Sequence, residues 1–256
     1  MGIAVTGLAI TAVKGMRLRE VQEIDLGELG AVGNRTFYVI DQRGRMVNGK
    51  QLGELQTIVP EYDPAGGELT LSFPDGAVTS AAIDYGDTLM TRFFSREYEG
   101  RELRGPWAAA LSHFLGQPLR LVEPEIAVDR GRLGAASVIS RASIQRLAEL
   151  ASVESVDGRR FRMLIEVDGV APHEEDGWIG QRLRIGPALM EMHGNVGRCL
   201  VTSRDADTGE IDLPTLDLLR RYRNHMPSTE PLPFGIYGAV LEPGIVRVGD
   251  VVALEG

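Results

Sequence analysis

The stretch RLRIGPALMEMHGNVGRCLVTS, residues 182–203, carries a strand–turn–strand pattern and the single cysteine of the chain. Gly186 and Pro187 form the turn signal, and short apolar-rich segments at 182–185 and 188–193 flank it. The pattern predicts two neighbouring strands, the second of which leads through Gly197 and Arg198 to Cys199.

The same alternation of short strands and turns continues on both sides of this stretch. Turn sequences stand at 41–45 (DQRGR), 64–67 (PAGG), 73–76 (FPDG) and 242–244 (EPG). Further strands are predicted at 3–13, 36–41, 68–73, 119–122, 163–167, 235–241 and 246–254. Such spacing favours sheets curled into barrels or sandwiches over a doubly wound sheet.

Three segments carry helix signals. Residues 105–116 have apolar residues at helical spacing, and 140–151 begin at Ser140, a favourable N-cap. Residues 213–224 have Pro214 near the start and arginines at the end, which suits the helix dipole. We therefore predict a mainly β (α+β) protein of two packed β-barrel-like units with a few short helices, divided into 1–95 and 96–256.

Composition limits the function classes. The 256 residues include 43% hydrophobic and 25% charged residues, as in an ordinary globular protein. A net charge of -9 argues against nucleic acid and anionic membranes as partners. No apolar stretch reaches the roughly 20 residues of a membrane helix, and no basic region precedes the apolar N-terminus. The expectation is a cytoplasmic protein.

Cysteine usage narrows the redox chemistry. One cysteine excludes an internal disulfide, a Cys-rich zinc module and a self-contained iron–sulfur cluster. Cys199 itself has two interpretations, a small buried hydrophobe or a reactive thiolate beside Arg198. Composition alone favours the first and leaves the second open.

Several segments resemble one family. GRCLVTSRDADTGEID (197–212), LLRRYR (218–223) and PLPFGIYGAVLEPGIVRVGDVV (231–252) are similar to the C-terminal half of the MOSC domain, as is EEDGWIGQRLRIGPALMEM (174–192) upstream. Residues 12–51 resemble the N-terminal β-barrel domain that accompanies it. The pair is characteristic of amidoxime-reducing components and their bacterial relatives. The resemblance covers most of the chain and is strongest at 174–254.

The resemblance implies a site. Cys199 stands where the family's cysteine ligates the molybdenum of a pterin cofactor, a role that suits a soft thiolate. The family's contacts to the cofactor and its anionic phosphate place these residues in the same pocket: Lys14, Arg35, Ser140, Ser143, Arg162 and Arg198, with Lys50 a weaker candidate. Four of these residues have a simpler alternative: surface charges for Lys14 and Arg35, helix capping for Ser140, and pairing with a carboxylate for Arg162.

Two positions depart from the family pattern. Leu164 replaces an asparagine two residues after Arg162, and Asn34 replaces an aspartate before Arg35. A leucine cannot hydrogen-bond to a pterin, so the first change predicts weaker cofactor retention, and Leu164→Asn is expected to restore it.

Other polar residues near these motifs carry weaker signals. The run 173–176 (HEED) matches no metal-ligand spacing and is predicted to be a solvated acidic loop. His193 and His225 are candidate proton donors flanking the site.

Two functions follow from the resemblance. The first is a molybdenum-cofactor oxidoreductase that reduces N-oxygenated small molecules, with electrons from a separate donor protein because the chain has no cysteines for a cluster. The alternative is a sulfur carrier in which Cys199 accepts a persulfide from another protein. A binding module that has lost its chemistry is a third hypothesis, against which Cys199 itself argues.

Overall fold

The computed structural model describes residues 2–93, 95–125, 131–228 and 230–255. Strands dominate this part of the chain, as the turn spacing predicts. In chain order they are β1 (Ile3–Ile10), β2 (Arg19–Val21), β3 (Glu23–Gly27), β4 (Gly30–Ala31), β5 (Tyr38–Asp41), β6 (Met46–Val47), β7 (Val59–Asp63), β8 (Glu68–Ser72), β9 (Val78–Ala82), β10 (Asp84–Phe93), β11 (Arg96–Arg104), β12 (Leu119–Pro124), β13 (Ala136–Ser140), β14 (Ile165–Asp168), β15 (Arg182–Ile185), β16 (Ala188–Gly197), β17 (Pro233–Glu242), β18 (Gly244–Arg247) and β19 (Val251–Glu255).

Helices are few and short. The α-helices are α1 (Trp107–Leu115), α2 (Arg141–Ala151) and α3 (Thr215–Arg223), each inside a segment with predicted helix signals. Short 3₁₀ helices lie at Gly53–Thr57, Gly131–Gly134, Gly158–Phe161, Glu174–Trp178 and Leu200–Ser203. The Ser140 side chain accepts a hydrogen bond from the Ser143 amide and so caps α2 as predicted. In the described part of the chain, no helix is long and apolar enough to cross a membrane.

A closed barrel of seven strands forms the larger unit. Its order is β14-β13-β17-β16-β15-β19-β1, and β1 pairs with β14 to close it. The predicted turn at Gly186 and Pro187 joins β15 to β16, with Ile185 opposite Ala188. Side chains from all seven strands fill the barrel with an apolar core, among them Val5, Ile165 and Met190. Burial of this interior is the main driving force for closure.

The smaller unit packs two sheets around a second core. One sheet has the order β10-β11-β12-β5-β6, and the other has the order β7-β8-β9. Helix α1 packs on both through Trp107, which is fully buried and whose indole Nε1 donates to the Leu69 carbonyl at 2.9 Å. A mainly β fold with few short helices is thus confirmed.

The chain crosses between the units more than once. Strand β1 belongs to the barrel although residues 12–124 contribute mainly to the smaller unit. In the reverse direction, the loop after Cys199 reaches the smaller unit, where Gln56 Nε2 donates to the Asp205 carbonyl at 2.9 Å and Arg17 Nη2 to the Asp207 carbonyl at 2.6 Å. These bonds hold the two units together beside Cys199.

Several strand predictions differ from the structure at their ends by one or two residues, and β16 runs to Gly197, four residues beyond the predicted end at 193. β1 ends at Ile10 instead of extending to residue 13, and the predicted strand 246–254 is divided into β18 and β19 by a turn at Gly249, whose φ is +94°. The hairpin β10–β11 carries no strand prediction at all. The division at residue 95 stays a prediction.

Candidate functional site

A cavity of about 390 Å³ opens where the two units meet. Its size falls within the range of small-molecule and cofactor sites. The described residues that line it are Lys14, Gly15, Arg35, Asn48, Gly49, Lys50, Gly134, Ser137, Arg160, Phe161, Arg162, Met163, Val196, Gly197, Arg198, Cys199, Val201, Thr202, Glu230, Pro231 and Tyr237.

Cys199 lies on this lining with a half-buried side chain. Strand β16 ends at Gly197, and Cys199, in extended conformation, precedes the 3₁₀ helix Leu200–Ser203. Its carbonyl accepts hydrogen bonds from the amide and the hydroxyl of Thr202, both at 3.0 Å. The backbone around the thiol is therefore fixed while the thiol faces a cavity, so the cysteine is not a fully buried filler.

Arg198 holds the turn that carries Cys199. Its buried guanidinium donates from Nη1 to the Phe161 carbonyl at 2.7 Å and from Nε to the Phe234 carbonyl at 2.8 Å. Hydrogen bonds from a charged donor to buried carbonyls are among the stronger ones in proteins. Arg198 thus lines the cavity and at the same time ties the cysteine segment to the 3₁₀ helix Gly158–Phe161 and to strand β17.

Arg35 and Arg162 come together from the two units. Arg35 Nη2 donates to the Arg162 carbonyl at 2.7 Å, and Arg162 Nη2 donates to the Met16 carbonyl at 2.7 Å. Both residues have left-handed backbone conformations, with φ of 54° and 56°. This conformation is costly for a residue with a Cβ and is concentrated at functional sites.

Two lysines complete the basic wall. Lys14 Nζ lies 5.2 Å from the centroid of the Phe93 ring, at the distance of a cation–π contact. Gly15, with φ of +93°, lets the chain turn immediately after Lys14, close to Asn48. Lys50 is an exposed residue of the lining, and its amide donates to the Asn48 side chain at 2.9 Å.

The lining is strongly basic although the protein is acidic. Among the described lining residues, six are basic and one is a carboxylate, Glu230. One of the six, Arg160, is compensated by Asp212, with two contacts at 3.0 Å. With six cations and one carboxylate, the charge of the described lining opposes the overall charge of -9. The cavity is suited to an anionic ligand.

Ser140 and Ser143 are not among the described lining residues. Both are fully buried, their hydroxyls lie 2.8 Å apart, and Glu175 Oε1 accepts from Ser143 Oγ at 2.7 Å and from the Ser140 amide at 3.1 Å. The start of α2 is thus occupied by a carboxylate of the protein itself. A direct cofactor contact from either serine would require this network to open.

The predicted solvated acidic loop at 173–176 is wrong for three of its four residues. Glu175 is fully buried, the Asp176 side chain is 15% exposed and pairs with Arg223 at 2.7 Å, and the ring nitrogens of His173 are buried. Burial raises the pKa of Glu175. Burial, aided by Arg223 and Arg146, lowers the pKa of His173 to about 4. The run of charged residues predicted exposure because the sequence does not show that Arg223 of α3 pairs with Asp176.

The two departures from the family pattern have structural roles. The Leu164 side chain is 5% exposed and packs in the barrel core, outside the described cavity lining. Asn34 Oδ1 accepts from the Thr11 amide at 3.1 Å, so the asparagine supplies a loop hydrogen bond. The expectation that Leu164 faces a bound cofactor is therefore not supported, because Met163 occupies the lining position beside it.

Several lining residues were missed by the sequence analysis, notably Glu230 and Tyr237, and the two candidate histidines lie elsewhere. His193 and His225 are exposed and absent from the described lining. Glu230 follows α3 in a polar loop that carries no motif. The one sequence signal near Glu230 is that Pro231 begins the segment 231–252, which resembles the MOSC domain.

Two family models match consecutive parts of the chain. The family model described as MOSC N-terminal beta barrel domain matches residues 2–118, and that described as MOSC domain matches residues 127–253. The chain is 29% identical to mitochondrial amidoxime-reducing component 1 of Homo sapiens, over 96% of this chain and 80% of that protein.

One further relative and one solved structure are also similar to this chain. Mitochondrial amidoxime reducing component 2 of Bos taurus is 29% identical, over 95% of this chain and 80% of its own. The crystal structure of the YUAD protein from Bacillus subtilis is 13% identical with a TM-score of 0.49, covering 99% of this chain and 96% of its own. With both family models matched in order along its length, the chain belongs to the MOSC family and carries an N-terminal MOSC β-barrel domain ahead of its MOSC domain.

Proposed function

We propose that this protein binds a molybdenum cofactor in the cavity and reduces N-oxygenated small molecules with electrons from a separate donor protein. The observation that carries the proposal is the position of Cys199, half-buried on the lining of a cavity whose other walls include Lys14, Arg35 and Arg162. A soft thiolate on one side and cations on the other match a ligand with a metal at one end and a phosphate at the other.

The residues present fit such a group. Four glycines, Gly15, Gly49, Gly134 and Gly197, leave the described lining without side chains at their positions. Among the described residues, no three carboxylate, imidazole or thiolate groups gather to hold a metal on their own. A metal at Cys199 would therefore take its remaining ligands from a cofactor or from solvent.

The roles of the residues follow from their positions. Cys199 would ligate the metal, Lys14, Arg35 and Arg162 would bind the anionic tail, and Arg198 would position the cysteine segment through its two carbonyl contacts. When bound, the molybdenum cofactor supplies oxygen-atom transfer coupled to electron uptake. A separate electron donor is needed because the chain has one cysteine and so no iron–sulfur cluster of its own.

The names of the relatives support the substrate class. Because they are amidoxime-reducing components, an amidoxime is the first substrate to test. We propose assaying reduction of benzamidoxime by protein produced in a host that makes the cofactor, with reduced methyl viologen as electron donor. Wild type should form benzamidine and Cys199→Ser should not. Cofactor-loaded wild type that reduces no N-oxygenated compound would overturn the proposal.

A sulfur-carrier function would use the same thiol as a persulfide acceptor. The sequence argument for it is a nucleophilic cysteine beside Arg198, and the absence of the family asparagine at Leu164 agrees with a pocket that holds no pterin. Because that side chain packs in the barrel core, the substitution does not remove a polar group from the cavity lining. The reductase is the function that the geometry supports better.

A further inference from the structure

The basic cavity contains an acidic side chain close to the cysteine segment. Glu230 is half-buried and is the one carboxylate among the described lining residues. Its Oε2 lies 2.7 Å from the point where a Cβ on Gly197 would stand. Gly197 precedes Cys199 by two residues, so the carboxylate sits against the backbone that leads to the thiol.

The main chain fixes this arrangement. The Arg198 amide donates to the Pro231 carbonyl at 3.0 Å, and Gly197 is paired with Pro233 in the β16–β17 ladder. The segment carrying Glu230 is therefore tied to the segment carrying Cys199. A side chain at position 197 would occupy the place of the carboxylate, and glycine leaves that place open.

We propose that Glu230 is a specificity-determining residue, which binds the amidine group of N-hydroxylated amidine substrates and of their reduced products. This inference rests on the proposed function. In the reduction, two electrons from the donor protein and two protons break the N–O bond, the oxygen leaves as water, and an amidine remains. A carboxylate accepts N–H hydrogen bonds from the amino group of the neutral N-hydroxylated amidine. The product amidine is a stronger base and takes up a further proton at neutral pH, and the planar amidinium forms paired hydrogen bonds with a carboxylate, as arginine does.

The other charged residues of the lining restrict where an amidinium can bind in the cavity. The other charged side chains among the described lining residues are cations, which repel an amidinium and attract the anionic part of a cofactor. The two ligands are thereby directed to different parts of one cavity. Glu230 already has interactions in the structure, so an amidinium would bind by competing with them.

The test compares a cation with its neutral counterpart. Dissociation constants of benzamidinium and benzamide are measured by calorimetry on the molybdenum-loaded protein, for wild type, Glu230→Gln and Glu230→Asp. Glu154→Gln is the matched control, because Glu154 is an exposed carboxylate outside the described lining. Melting temperature and molybdenum content are recorded for each protein.

Wild type and Glu154→Gln should prefer benzamidinium to benzamide by roughly tenfold or more, as a charge-assisted pair implies. Glu230→Gln should lose that preference, and Glu230→Asp should keep part of it. An unchanged preference in Glu230→Gln, or no preference in wild type, would overturn the inference. A fall in melting temperature or metal content without a change in preference would also overturn it, by showing a purely structural carboxylate. Failure of the proposed function would appear separately, as metal-free or inactive wild type.

Discussion

The guanidinium of Arg35 donates a 2.7 Å hydrogen bond to the carbonyl of Arg162, a residue 127 positions further along the chain. Arg162 in turn donates to the Met16 carbonyl, two residues after Lys14. Three segments of the basic wall are thus connected by side chain–backbone bonds, and both arginines are in left-handed conformation. The wall is assembled by folding and does not exist in either unit alone.

Substitutions at Arg162 should separate its conformation from its contacts. Arg162→Ala loses the bond to Met16 and keeps the strained backbone, whereas Arg162→Gly loses the bond and relieves the strain. We expect the glycine variant to unfold with a free energy about 1 kcal/mol higher than the alanine variant. Urea denaturation of both proteins measures this difference. An alanine variant as stable as the glycine variant would contradict the assigned strain.

Arg198 should behave as a structural cation. A lysine cannot span the carbonyls of Phe161 and Phe234 with the geometry of a guanidinium, so Arg198→Lys should lower stability by about 2–4 kcal/mol. Arg221→Lys, an exposed arginine on α3, is the control and should change little. Thermal unfolding checks both. Equal melting temperatures for the two variants would show that the carbonyl contacts contribute nothing.

Leu164→Asn should destabilise the barrel without improving cofactor retention. The substitution places an amide in an apolar core, at a cost of about 2–4 kcal/mol. Leu164→Met preserves volume and should cost under about 1.5 kcal/mol. Unfolding free energy and molybdenum content of the pair are the measurements. Higher molybdenum content in the asparagine variant would mean that position 164 contacts the cofactor after all.

Acid should destabilise the protein through His173. Its pKa is about 4 in the folded protein and 6.5 as a reference for the unfolded chain, so the unfolded state binds more protons between these values. The stability supplied by the neutral imidazole is complete above pH 6.5 and falls as the pH drops towards 4, by at most about 1.4 kcal/mol per pH unit. Its ring nitrogens have no hydrogen-bond partner in the described part of the chain.

His173→Asn tests this dependence, because asparagine tolerates the left-handed backbone at this position. Free energies of unfolding of wild type and variant are measured by denaturation at several pH values between 7 and 4. As the pH falls, the wild type should lose stability relative to the variant. Glu175, whose pKa burial raises, opposes this trend but is present in both proteins. A difference that is constant over this range would show that His173 does not titrate differently on folding.

Local signals predicted most of the barrel and its helices. The turn at Gly186 and Pro187 and the cap at Ser140 act through neighbouring residues, so the sequence is sufficient to identify them. The hairpin β10–β11 escaped prediction because most of its side chains are at least partly exposed and lack a clear apolar face. Its strands form through pairing with each other and with β12.

The family resemblance predicted several residues of the site. It did not predict contacts that depend on packing between distant parts of the chain. Lys14, Arg35, Arg162 and Cys199 share the cavity as expected, although their roles stay predictions. Glu175 reaches the start of α2 from 32 residues away and takes the serine contacts. Glu175 thus occupies the position predicted for a cofactor phosphate. A contact between residues so far apart in sequence depends on tertiary packing and cannot be recognised from a short motif.

Molybdenum content tests the central claim most directly. Wild type and Cys199→Ser are purified from a host that makes the cofactor, and metal per chain is measured with the melting temperature of each protein. We predict about one molybdenum per wild-type chain and loss of most of it in the variant, because an alcohol is a poor ligand for this metal. Wild type that is folded yet free of molybdenum, or a variant that retains as much as wild type, would contradict the assignment of Cys199 as the metal ligand.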